Sequence, residues 1–262
     1  MGIARVKISL GDDEAAEEVL DNLIADYNDH PRFSWAIFAV ADEYYNQAIQ
    51  RKRAGHIDRG NEDYRKAIAV WEKMARESPS SPKYTPRAYY CAAVCYSQEL
   101  KEYIKGIEHY QRIVDDWPDY KYAWHAQYFI GKYYESLRDS GGIPESEADL
   151  KIQQAYQAVV EKYPDSQSAP FAALKLGQIN LAKRQWPDVA YYLELFVYQE
   201  DGEKPYFLFT GALYDLGQAY EQLDMLDRAI EVYGVFMQTA DPDDSRIKTV
   251  KAKLEKFEGV KK

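Results

Sequence analysis

Histidine and cysteine are the side chains here best suited to hold a transition metal or act as nucleophiles. The chain of 262 residues carries His30, His56, His109, His125, Cys91 and Cys95. Metal sites need such groups to converge, and in a sequence they show as short ligand spacings. No His-x3-His, no paired-cysteine motif and no calcium loop occurs. Cys91 and Cys95 lie four apart on a predicted helix, so both project from one rigid face and a bridge between them would need poor geometry. They read as two small buried residues, which leaves the redox compartment open. Aspartate and glutamate total 43, yet no surrounding motif marks a pair for acid–base work. Gly-x-Ser-x-Gly, P-loop and dinucleotide fingerprints are missing as well. The expectation is a non-enzymatic protein with no cofactor and no metal.

Composition narrows the class. Hydrophobic residues make up 46% and charged residues 29%, the balance of a folded, soluble chain. There are 24 tyrosines, whose rings bury readily between helices while the hydroxyl stays wet. The net charge of −10 argues against nucleic acid, whose binders need a basic face. No apolar run is long enough to span a membrane, so direct membrane insertion is not expected. The N-terminus has no signal-peptide core and starts as if inside a repeat, which suggests a chain cut from a longer one, any leader lying outside it. Arg51, Lys52, Arg53, Arg59, Arg65 and Lys66 form a basic cluster. It suits an acidic or phosphate-rich ligand, but reads more simply as a solvated helix face balanced by Glu62 and Asp63.

Internal periodicity sets the architecture. A small residue recurs at Ala41, Ala93, Gly131, Gly177 and Gly217, at spacings of 52, 38, 46 and 40. Tyrosine follows three residues later at Tyr44, Tyr96, Tyr134 and Tyr220, with Asn180 in the fourth copy. Each small residue marks the first helix of a hairpin. The second helices show Ala67 with Trp71, Gly106 with Tyr110, Ile152 with Tyr156, Val189 with Leu193 and Ala229 with Tyr233. Pro79, Pro118, Pro164 and Pro242 close those helices, and Pro31 closes an earlier one over 14–28. Extra length is expected at 46–63, at 138–147 and at 200–205. No period-two pattern with hairpin turns argues for a sheet.

The segment 210–242, with Leu213, Leu216, Gly217, Tyr220, Ala229, Tyr233, Phe236 and Pro242, resembles a tetratricopeptide repeat. The stretch from Glu161 to Gly177, opening Glu161-Lys162-Tyr163-Pro164-Asp165-Ser166, is similar to bacterial proteins of this type, in which Tyr-Pro-x-Ser joins successive hairpins. Periplasmic partners of the Tol–Pal system and the lipoprotein of the outer-membrane β-barrel assembly machine are of that kind. The resemblance implies an all-α, right-handed α-solenoid and a non-catalytic adaptor, with the cell envelope as its suspected setting. In this reading 1–31 is a partial repeat, 32–242 holds five helical hairpins, and 243–262 is a polar capping helix whose stripe is Ile247, Val250, Leu254 and Phe257.

The same register implies a concave groove. Position five of the first helices gives Phe38, Tyr90, Tyr128, Leu174 and Tyr214, and position two adds Trp35, His125 and Phe171. Such a stripe suits a protein or peptide partner laid into a groove. It would serve equally as packing between adjacent helices. Asp42, Glu135 and Glu221 fall on the same side and favour a partner with some positive charge. The Lys/Asn/Arg clamp that grips chaperone C-termini is missing from positions two and six. Two other readings stand beside the adaptor: the α-superhelical body of a larger enzyme such as a murein-cleaving transglycosylase, and a structural segment of a longer repeat array. Sequence leaves the oligomeric state open.

Overall fold

The computed structural model describes residues 2–199 and 205–260. Among these the chain is all helical: α1 (Gly2–Leu10), α2 (Asp13–Tyr27), α3 (Phe33–Arg53), α4 (Ile57–Glu77), α5 (Thr85–Val94), α6 (Tyr103–Asp116), α7 (Ala123–Asp139), α8 (Glu145–Lys162), α9 (Ala169–Ala182), α10 (Trp186–Val197), α11 (Tyr206–Gln222), α12 (Leu226–Thr239) and α13 (Ile247–Val260). A π-helical turn, Cys95–Glu99, continues α5. The helices pair as tetratricopeptide-like antiparallel hairpins. They form two compact units, Met1–Asp149 and Leu150–Lys262.

The turns inside the hairpins share one device. Each holds a single residue with positive φ: Gly11, Gly55, Lys101, Gly141, Arg184 or Asp224. Beside it an amide bonds back across the helix end, as Asp12 N to Lys7 O, His56 N to Arg51 O, Gln185 N to Asn180 O and Met225 N to Tyr220 O. This is a Schellman closure, which satisfies the last carbonyls of the first helix. The α5–α6 hairpin differs. There Glu102 N reaches Tyr96 O, one residue further back. The π turn absorbs that extra residue and keeps the hairpin closed.

Small residues at the crossings let the two helices of a hairpin approach. In unit 2, a Cβ on Gly217 would lie 2.4 Å from Tyr233 Cε1, and one on Gly177 would lie 2.5 Å from Leu193 Cδ2. In unit 1, Gly106 faces Ser97 in the same way. All five first-helix small positions are buried. So are the five second-helix pairs, from Ala67 and Trp71 to Ala229 and Tyr233. The core of unit 1 centres on Phe38, Tyr64, Trp71 and Met74, and that of unit 2 on Leu193, Phe196, Leu216, Tyr220, Tyr233 and Phe236.

Polar ties link successive hairpins. Glu72 on α4 accepts from Tyr96 OH at 3.2 Å and faces His109 Nε2 on α6 at 3.0 Å. That contact with His109 holds the Glu72 carboxyl below its ordinary range. At the end of unit 2, α13 buries Val250 and Phe257 against the core, and Lys253 reaches Glu221 on α11. The other side of α13, with Lys248, Lys251, Glu255 and Lys256, is exposed.

Three expectations need restating. Residues 46–63 add length as helix, because α3 and α4 each run for 21 residues around a short turn at Gly55. The first 31 residues hold two helices, α1 and α2, where one was expected. The added length at 200–205 falls almost wholly outside the described residues.

Candidate functional site

In unit 1 the first helices α3, α5 and α7 stand side by side, and their side chains meet. Arg87 on α5 lies over the Phe38 ring of α3, 4.4 Å from its centroid. Tyr90 on α5 contacts His125 on α7, with OH to Nδ1 at 2.7 Å. Burial lowers the His125 pKa, with Lys132 adding to the effect, so the ring is neutral near pH 7. Burial also raises the Tyr90 phenol, which keeps its proton. The bond therefore joins two neutral groups. This bond locks one tyrosine and one histidine across two hairpins on a half-exposed face.

Aromatic rings surround that pair. Tyr122 lies 5.4 Å from Tyr90, Tyr120 lies 5.7 Å from Tyr122, and Trp124 lies 5.4 Å from His125. Tyr120, Tyr122 and Trp124 sit in and just after the α6–α7 connection, so the repeat register missed them. Their signal in the sequence is the density of aromatics from Trp117 to Trp124. Asp42 is half-buried beside this face; burial raises its carboxyl, and the charges of Arg87 and Arg5 oppose the rise.

The predicted groove residues divide between the units. In unit 1, Trp35 is 41% exposed, and Tyr90, His125 and Tyr128 are half-buried. Phe38 is only 2% exposed, because Trp71, Tyr84 and the Arg87 guanidinium close over it. In unit 2, Phe171 and Tyr214 are half-buried and Leu174 is 5% exposed, inside the core. Phe38 and Leu174 thus pack the interior and do not line an open face. Tyr214 lies under Arg246, 5.6 Å from its ring. Of the three acidic groove residues, Glu221 is engaged by Tyr233 OH and Lys253 and is not free to steer a partner. Asp215, next to Tyr214, has its carboxyl pushed up to about 6 by burial, with Arg246 opposing the rise.

Burial pushes the Cys91 thiol up to about 12 and raises Cys95 too, so neither is a thiolate nucleophile at neutral pH. Both cysteines are free. Among the described residues no three His, Cys, Asp or Glu side chains group as a metal site. No helix among them is long and apolar enough to cross a membrane. The basic cluster is largely spent inside unit 1: Arg51 pairs with the buried Asp63 at 2.8 Å, Lys52 with Glu99 at 2.8 Å, and Lys66 with Asp13 at 2.6 Å. Arg65 pairs with Glu102. The expected balance by Glu62 is replaced by these partners.

One hairpin matches a family model, the one whose Gly217 fits against Tyr233. Residues 211–241 match the tetratricopeptide repeat family. This is the α11–α12 hairpin, and such repeats serve protein–protein interaction. No curated protein matches the chain. Solved structures similar to this chain include BtubC (BKLC) from P. vanneervenii, 14% identical over 89% of this chain and 93% of that one, at a TM-score of 0.49. MamA from Desulfovibrio magneticus RS-1 is 16% identical over 78% and 97%, at 0.46. A thermophilic TPR protein from Thermus thermophilus is 16% identical over 83% and 98%, at 0.39.

Proposed function

We propose that this protein is a non-catalytic interaction scaffold whose binding face in unit 1 is the aromatic surface of α3, α5 and α7. The observation that carries the reading is the Tyr90–His125 bond at 2.7 Å, with Tyr120, Tyr122 and Trp124 around it. Half-exposed aromatic rings with polar tips are what protein interfaces use as anchors. Locked in place, they lose little freedom when a partner arrives. The occupant is a protein segment with apolar anchors and some positive charge, in keeping with the net charge of −10 and with Asp42 beside the face. In unit 2, Phe171 and Tyr214 are half-buried rings of the same kind. The cell-envelope setting belongs to this proposal, supported by the Tyr163-Pro164-Asp165-Ser166 junction between α8 and α9.

Photo-crosslinking in native cells tests it. The photoreactive residue p-benzoylphenylalanine replaces Tyr122, which is exposed at this face, or Tyr191, which is exposed on α10 of unit 2. The expected result is a discrete adduct with another protein from position 122 and none from position 191. Adducts from 191 alone would refute the assignment. Recovery of the adduct in the envelope fraction tests the setting.

A further inference from the structure

The end of unit 1 formed by α1 and α2 shows a second kind of surface. Along α1, Ala4 and Ile8 are buried, while Ile3, Val6 and Leu10 are 66%, 58% and 75% exposed. Their spacing of three and four places them on one outward stripe. A hollow of about 530 Å³ opens beside that stripe, lined by Ile3, Val19, Leu23, Tyr27, Phe33 and Trp35 among others. Surface helices normally turn only one face to a core. Helix α1 turns apolar side chains both ways, which fits a helix sandwiched between its own unit and something else.

Charge selects the occupant. From residue 2 to 10, α1 carries Arg5 and Lys7 and no acid. From residue 12 to 29 there is no Lys or Arg, and the exposed side of α2 bears Glu14, Glu17, Glu18, Asp21 and Asp26. A basic apolar helix therefore lies beside an acidic one. A two-fold axis through such a face sets the basic helix of each copy toward the acidic helix of the other, as an isologous contact requires. Some of this charge is already used within the chain, by Arg5 with Glu43, Lys7 with Asp12 and Asp21 with Lys73. The remaining excess of acid on α2 still favours a basic helix opposite.

We propose that α1 and α2 form a homodimer interface, in which the Ile3–Val6–Leu10 stripe of each copy packs into the hollow beside α2 of the other. The surface is small. Helix α2 is about 22 Å long and a helix pair about 20 Å wide, which places the contact at the weak end of specific interfaces. The dimer is thus concentration-dependent.

Sedimentation velocity of the untagged full chain, from about 1 to 200 µM, tests it. Wild type should shift from monomer to dimer over that range and go no further. Val6→Glu with Leu10→Glu should raise the dissociation constant at least tenfold, and circular dichroism should show unchanged helicity because both side chains are exposed. Ile3→Lys provides an independent second variant if the pair proves unstable. A wild type that stays monomeric at 200 µM, one that grows into larger oligomers, or a dimer untouched by either α1 variant would overturn the proposal. So would a dimer lost instead through Tyr191→Glu with Leu195→Glu on α10.

Discussion

Two helical glycines in one hairpin should respond oppositely to the same substitution. Alanine is favoured over glycine in a helix interior by about 1 kcal/mol. Gly234 on α12 has no atom within 4 Å of where a Cβ would sit. Gly234→Ala should therefore stabilise the protein by about 0.5–1 kcal/mol. At Gly217 the added carbon would lie 2.4 Å from Tyr233 Cε1 and 2.7 Å from both Cδ1 and Cζ. Ordinary carbon contacts are about 3.5–4.0 Å, so the ring would have to move by about 1 Å. It has nowhere to go: Tyr233 is fully buried, and its hydroxyl is tied to Glu221. Overpacking of this kind costs about 1–3 kcal/mol. With a displacement this large the upper end applies, and after the helix-propensity gain Gly217→Ala should lose about 2 kcal/mol. Urea denaturation followed at 222 nm measures both variants. Shortening the ring partner, by adding Tyr233→Leu to Gly217→Ala, should recover part of the loss in a double-mutant cycle. If Gly217→Ala is as stable as wild type, or both substitutions move stability in one direction, the packing argument for the repeat is wrong.

Three further predictions concern charge and backbone. A carboxyl titrating near 6, as Asp215 does, costs about 2–3 kcal/mol when ionised in the fold, against about 4 in an unfolded chain. The folded state binds more protons between those values, so stability falls as pH rises from 4 to 6. Asp215→Asn should stabilise the protein by about 1–3 kcal/mol at pH 7.5, with the gain vanishing near pH 4; a pH-independent effect would contradict this. Arg51→Ala strands the buried Asp63 carboxylate, whose pKa burial already raises, and should cost about 3 kcal/mol, whereas a loss under 1 kcal/mol would show that the pair is dispensable. Arg184 holds a left-handed conformation, φ 56°, with an exposed side chain. Arg184→Gly should raise stability by about 1 kcal/mol, and a lower melting temperature would count against the closure described for that turn.

How much was legible in the sequence depends on how local the cause is. Gly217 with Tyr233, and Gly177 with Leu193, could be paired from spacing alone, because the crossing of a hairpin fixes which residues touch. Pro79, Pro118, Pro164 and Pro242 marked helix ends for an equally local reason. The π turn at Cys95–Glu99 was not visible, since one extra residue can be absorbed as a bulge or in a loop, and side-chain type does not choose between them. Phe38 was placed on an open face by its repeat position; whether it is open depends on Arg87, a residue in the next hairpin. Tyr120 and Tyr122 lie between helices, where periodicity has no hold, and so the densest part of the candidate face lay outside the register.

The most direct test of the binding face combines selection with mapping. Peptide ligands selected from a random display library against the full chain would be bound to the chain and followed by hydrogen exchange. The account predicts protection confined within unit 1 to α5, α7 and the α6–α7 connection, and at least tenfold weaker binding after Tyr122→Ala with Trp124→Ala at unchanged melting temperature. Selected peptides that protect only other helices, or that bind the double variant as tightly as wild type, would contradict it.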